Sequence, residues 1–103
     1  MPKTNKTALM RQNKAQIGYR KRGCEKLTHE LKILPEYYDA VEAGIKTFEI
    51  RKNDRDYKVG DFLRLREWVA GSWYTGREIT KQVVYIVDNP EYCKSGYIVM
   101  GIK

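Results

Sequence analysis

Only one stretch of this chain carries the spacing of an amphipathic helix, and it is short. Across residues 35–43, Tyr37, Tyr38, Ala40 and Val41 form an apolar stripe at helical intervals. Pro35 suits the first helical position, where its missing N–H costs nothing. Glu36 meets the positive end of the helix dipole. Gly44 follows as the residue that ends the helix, because glycine takes the left-handed conformation without a steric penalty. The other patterned segments read with a period of two. Leu27, His29, Leu31 and Ile33 alternate with neighbours that are mostly polar, and further strands are expected at 46–52, 62–69, 78–87 and 97–102. Five strands and a single helix cannot build a parallel sheet, which needs a crossover for each strand pair. The order β-α-β-β-β-β therefore predicts an α+β domain: a small, mostly antiparallel β-barrel with the helix packed at one end.

Alternation also assigns faces. In the second strand Phe48 and Ile50 point one way, with Phe48 expected in the core, and Glu49 and Arg51 point the other. In the third, Leu63 and Leu65 share one face, and Arg64, Arg66 and Trp68 the opposite one.

With 103 residues, one domain is expected. Its boundary is set by charge. Residues 1–26 hold eight basic side chains and one acid, so they carry the whole formal excess of +7. Residues 27–103 balance twelve basic side chains against twelve acids. The first segment has few large apolar residues and no sustained period, and is expected to be a disordered basic tail. It reads equally as an electrostatic arm for phosphates and as a solubilising extension. The folded domain is expected over 27–103.

No apolar run is long enough to span a membrane, and the basic N-terminus lacks the apolar stretch of a secretory signal. Cys24 and Cys93 lie far apart in sequence and outside any C-x-x-C pair. With the lone His29 they do not supply the four ligands of a structural zinc. Free thiols in the cytoplasm, and no metal, cofactor or membrane partner, are the expectation.

Two clusters are candidates for binding. The first is Gly44, Lys46, Glu49 and Arg51. Glu49 and Arg51 leave one face of a strand, and Lys46 enters from the loop after the helix. Two cations and a carboxylate suit a phosphate or a base edge that offers both donors and acceptors. The same residues also read as a strand face carrying a weak surface ion pair. The second cluster is Arg64, Arg66 and Trp68, with Tyr74 and Arg77 beyond. Cations interleaved with rings match single-stranded nucleic acid. They match equally a satellite core covered by arginine stems. No nucleophile-elbow, Walker-type or dinucleotide fingerprint occurs, so no catalytic residue is assigned.

The run Gly44–Arg51 reads G-x-K-x-x-E-x-R and resembles the signature of ASCH domains, a branch of the PUA-like superfamily. The likeness extends through Pro35-Glu36-Tyr37-Tyr38, Val59-Gly60-Asp61 and Tyr74-Thr75-Gly76-Arg77. It covers about Thr28 to Ile102 and is similar to a small family of uncharacterised bacterial and phage proteins. It implies a PUA-like barrel with a cleft beside the helix, shaped by Gly44 and lined by Lys46, Glu49 and Arg51. It further implies RNA or a modified nucleotide as the ligand, bound by what is expected to be a monomer. One ASCH branch removes the acetyl group from acetylated cytidine, using a distant Glu, a Lys and a Thr three residues after that Lys. Here Glu49 stands at that position, and Thr47 adjoins Lys46. A nucleotide-binding module is thus the first expectation, a small amidohydrolase the second, and a phage or regulatory domain with a protein partner the third.

Overall fold

The computed structural model describes residues 25–103. The expectation of a disordered tail over 1–26, and that of a free thiol at Cys24, fall on residues that lie, but for Glu25 and Lys26, outside that range. The described residues group into a main unit, Lys26–Lys52 with Lys58–Lys103, and a second that holds Glu25 and the short stretch Asn53–Tyr57. Among the described residues, all regular elements belong to the main unit. In order they are β1 (Thr28–Ile33), α1 (Pro35–Glu42), β2 (Phe48–Lys52), β3 (Phe62–Trp68), β4 (Tyr74–Val87) and β5 (Tyr97–Ile102). In the short stretch, Asp56 adopts a left-handed conformation (φ 50°) and Tyr57 is buried. No helix among the described residues is long and apolar enough to cross a membrane.

The strands form one five-stranded sheet in the order β1-β3-β4-β5-β2. Its pairs are antiparallel except β1 with β3. That parallel pair is possible because α1 and β2 intervene in sequence and supply the crossover. The long β4 serves two partners. Its first half pairs with β3, with Gln82 opposite Phe62, and its second half with β5, with Val87 opposite Val99. A register shift between Val83 and Tyr85 accompanies the change of partner. Such an irregularity bends a strand and raises its twist.

The expected closed barrel is not formed. β1 and β2 end the strand order, and no ladder joins them. Across this seam the contact is a side-chain one: Arg51 Nη2 donates to the carbonyl oxygen of Lys32 at 2.6 Å.

Alternation holds in β1, β3 and β5. Leu31 and Ile33, Leu63 and Leu65, and Ile98 and Met100 are buried in phase. Each such side chain contributes roughly 1.5–3 kcal/mol relative to exposure. In β2 the expected faces are inverted. Glu49 is 4% exposed, whereas Phe48 is 42% and Ile50 56% exposed. The register explains the reversal. Residues directly opposite in an antiparallel pair project to the same face. Glu49 lies opposite Met100 and Arg51 opposite Ile98, so both fall on the face that β5 buries. Phe48 and Ile50 fall opposite Gly101 and Val99 on the other.

The helix ends as its sequence suggests, and its ending sets where β2 starts. Gly44 has φ 78° and its N–H donates to the Val41 carbonyl at 3.0 Å. The N–H groups of Ile45 and Lys46 then both donate to the Ala40 carbonyl, at 2.9 and 3.0 Å. Lys46 is therefore tied to the last turn of α1, and β2 begins at Phe48 instead of Lys46. Ala43 is the cap and not a helical residue. At the β3–β4 hairpin, Val69 N–H donates to Trp73 O at 2.9 Å and Tyr74 faces Trp68. This carries β4 four residues further toward the N-terminus than its apolar pattern implied.

Candidate functional site

A cleft of about 810 Å3 lies at the seam left between β1 and β2, with the start of α1 and the α1–β2 loop on its wall. Lys46, Glu49 and Arg51 all line it, as do the rings of Tyr37, Phe48 and Tyr97. Gly44 is exposed and acts one step back, turning the chain so that Lys46 arrives beside Glu49. Leu34 to Tyr37 come to the cleft because Pro35 starts the helix there. Both Tyr37 and Tyr38 N–H groups donate to the Leu34 carbonyl, at 3.0 and 2.9 Å, and hold that first turn.

The polar centre is Glu49. Its Oε1 accepts a hydrogen bond from Lys46 Nζ at 3.2 Å and lies 3.9 Å from Arg51 Nε. Its Oε2 is buried with no hydrogen-bond partner. A buried acceptor left unpaired costs about 1–3 kcal/mol, and more when charged. Lys46 is held by a second bond, donated to the Phe48 carbonyl at 2.6 Å. Its ammonium also lies 4.9 Å from the centre of the Phe48 ring, within cation–π range. Lys32 and Lys52 line the same cleft, but the cations beside Glu49 are two, Lys46 and Arg51. The site is locally positive although residues 27–103 are neutral overall. Of the described residues lining it, none is serine or threonine, and the hydroxyl groups are the phenols of Tyr37 and Tyr97.

The second predicted cluster is a different surface. Arg64, Arg66 and Trp68 do share the outward face of β3. Their charges are met there. Arg64 donates to Glu30 and, at 2.9 Å, to Glu78. Arg66 lies 3.5 Å from Glu30 and 3.6 Å from Glu78, with its guanidinium 3.9 Å from the centre of the Tyr74 ring. Trp68 lies under Lys32 Nζ, 4.5 Å from the ring centre.

Arg77 is engaged elsewhere. It donates to Glu67 Oε1 through Nε at 2.9 Å, to Glu67 Oε2 at 2.8 Å and to Asp39 at 2.7 Å, and it lies over the Tyr38 ring. Thr75 Oγ1 adds a hydrogen bond to Glu67 at 2.6 Å. These donors, Arg77 first and Thr75 second, hold the Glu67 carboxyl at about 2, far below its usual range. The network ties α1 to the β3–β4 hairpin and so fixes the helix whose first turn lines the cleft.

Sequence reasoning missed Tyr37, Phe48 and Tyr97 as cleft walls. Tyr97 reaches the seam only because it pairs with Lys52, a register that no local pattern announces. It also missed the partner of His29, whose Nε2 lies 2.8 Å from Asp61 Oδ2. Asp61 is fully buried and also accepts from the N–H groups of Leu27 (3.2 Å) and Lys58 (3.0 Å). Both His29 and Asp61 had been visible, one in phase with the core and the other in the Val59-Gly60-Asp61 turn. Cys93 is a free, half-buried thiol whose Sγ donates to Val87 O at 3.3 Å.

Residues 28–102 match the family described as a domain of unknown function, DUF3850. The chain is also similar to the uncharacterized 12.9 kDa protein in the GpA 3′ region of Escherichia phage P2, at 43% identity over 60 residues. That stretch is 58% of this chain and 54% of the phage protein, so the match spans about half the length of that relative.

Proposed function

We propose that this chain, which belongs to the DUF3850 family, is an RNA- or nucleotide-binding module that takes one base and its phosphate into the cleft between β1, α1 and β2. The observation that carries the reading is Glu49: a buried carboxylate in a cleft wall, one oxygen without a donor, beside the cations Lys46 and Arg51. Folding alone does not favour such an oxygen. A ligand that brings N–H donors satisfies it, and the surrounding cations suit a phosphate on the same ligand. The rings of Tyr37, Phe48 and Tyr97 offer flat faces to a base. The G-x-K-x-x-E-x-R spacing and the β-α-β-β-β-β order support placing the domain among ASCH-type members of the PUA-like superfamily.

Deacetylation of acetylated cytidine is the weaker reading. Thr47 is exposed and is not among the cleft-lining residues, and where that chemistry needs a hydroxyl this chain has Glu49. A hydroxyl nucleophile requires a base within hydrogen-bond reach.

Titration of the labelled protein with short RNAs, single-stranded DNA and a nucleotide panel, followed by NMR, tests the proposal. Shifts are expected at Tyr37, Lys46, Glu49 and Arg51. Lys46→Ala and Arg51→Ala should remove them while keeping the folded spectrum. Shifts confined to Arg64, Arg66 and Tyr74 would move the site to the other face, and turnover of acetylated cytidine would replace the binder by an enzyme.

A further inference from the structure

The polar groups of the cleft distinguish between base edges. Glu49 Oε1 already accepts from Lys46, and Oε2 beside it accepts nothing. A carboxylate presented in this way is completed by a flat group with two adjacent N–H donors. Lys46 has three donors. Two are used, on the Phe48 carbonyl and on Glu49. The third is open to an acceptor that lies next to those two N–H groups.

Two common groups carry paired N–H donors: a guanidinium and guanine. The guanidinium is a cation, and Lys46 and Arg51 beside Glu49 repel it. Guanine is neutral, and in a nucleotide it brings a phosphate that the same cations attract. Its Watson–Crick edge places N1–H and the 2-amino group side by side, with the O6 acceptor adjoining N1–H. Adenine and cytosine each offer one amino donor next to an acceptor. Uracil offers one N–H between two acceptors. Of the four bases, guanine alone matches both the carboxylate and the ammonium.

Resting on the reading of the cleft as a nucleotide site, we propose that it selects guanine. N1–H and the 2-amino group donate to the Glu49 carboxylate, O6 accepts from Lys46, and the phosphate is held by cations of the Arg51 side. Because Oε2 is buried, the base edge reaches it only when a neighbouring side chain shifts. Lys46 is the flexible one, bonded to the same carboxylate and with its side chain 15% exposed.

Calorimetric titration of the full chain with GMP, IMP, AMP, CMP and UMP tests this. GMP should bind tightest. IMP keeps N1–H and O6 but lacks the 2-amino group, and should bind about tenfold more weakly, the loss typical of one base contact. AMP, CMP and UMP should bind more weakly still. Glu49→Gln replaces one acceptor oxygen by a donor and should collapse the preference for GMP, bringing the GMP-to-AMP affinity ratio close to one. A merely structural Glu49 would weaken all five alike. If this variant does not fold, the GMP-to-IMP ratio of the natural chain decides alone. Equal affinities, or a preference for another base, would overturn guanine selection and leave the nucleotide site standing. Failure of all five to bind would overturn both.

Discussion

Glu49 and Glu67 are both 4% exposed, and their surroundings give them opposite roles. Glu67 accepts from Arg77 and Thr75 on both oxygens, so it is a structural group in a completed network. Glu49 has one oxygen without a partner and lines a cleft. The position of Glu67 was legible, since it continues the buried alternation of Leu63 and Leu65. Its partner was not, because Arg77 lies ten residues away across a hairpin and reads locally as a surface cation. The depressed carboxyl gives this network a pH signature. Folded Glu67 binds a proton less readily than it does in the unfolded chain. Its stabilisation is complete above the ordinary value of 4.5 and is lost as pH falls toward about 2. Urea midpoints of the natural chain and of Glu67→Gln should therefore differ at neutral pH, and the gap should close between pH 4.5 and about 2. A gap unchanged down to the acid end would mean that the carboxylate charge plays no part.

At the level of elements, periodicity identifies each strand and the helix but misjudges β2. Its apolar residues Phe48 and Ile50 are the exposed ones, and the polar pair Glu49 and Arg51 turns toward the face of Met100 and Ile98. Local pattern carries no information about register with β5, and register decides the face. Departures of this kind from a local rule concentrate at functional or strained positions. The seam itself was illegible for the same reason: whether β1 meets β2 depends on pairings distant in sequence. The inversion sets a stability prediction. Leu65 is fully buried, and Leu65→Ala should cost about 2–5 kcal/mol. Phe48, at 42% exposure, should cost about 1–2 kcal/mol when changed to Ala, since only part of its surface leaves water on folding. Denaturant melts of the two variants measure the difference, and equal losses would return Phe48 to the core.

For the whole molecule the decisive quantity is where charge is uncompensated. Residues 1–26 hold an excess of +7 in the sequence, while residues 27–103 balance. Within the balanced part, Arg64 and Arg66 are matched by Glu30 and Glu78 on one face. The cleft keeps Lys46 and Arg51 against the single carboxylate of Glu49. Under the proposed function two regions attract phosphate, the cleft for a single nucleotide and residues 1–26 as a run of charge. They separate by salt dependence, because each phosphate neutralised on a single strand adds about 0.7 to the slope of log affinity against log salt. A mononucleotide that fills the cleft should show a shallow slope, about 1 or less. A single-stranded RNA of a dozen nucleotides should show a steeper one if residues 1–26 engage its backbone. Changing the basic residues of that segment to glutamine should then return the RNA slope to that of the mononucleotide. Changing Arg64 and Arg66 to alanine should leave it unaltered, since their charge is already spent on Glu30 and Glu78. An RNA slope equal to that of the mononucleotide in the natural chain would confine recognition to the cleft. A slope that falls on loss of Arg64 and Arg66 would instead put the RNA track on the outward face of β3.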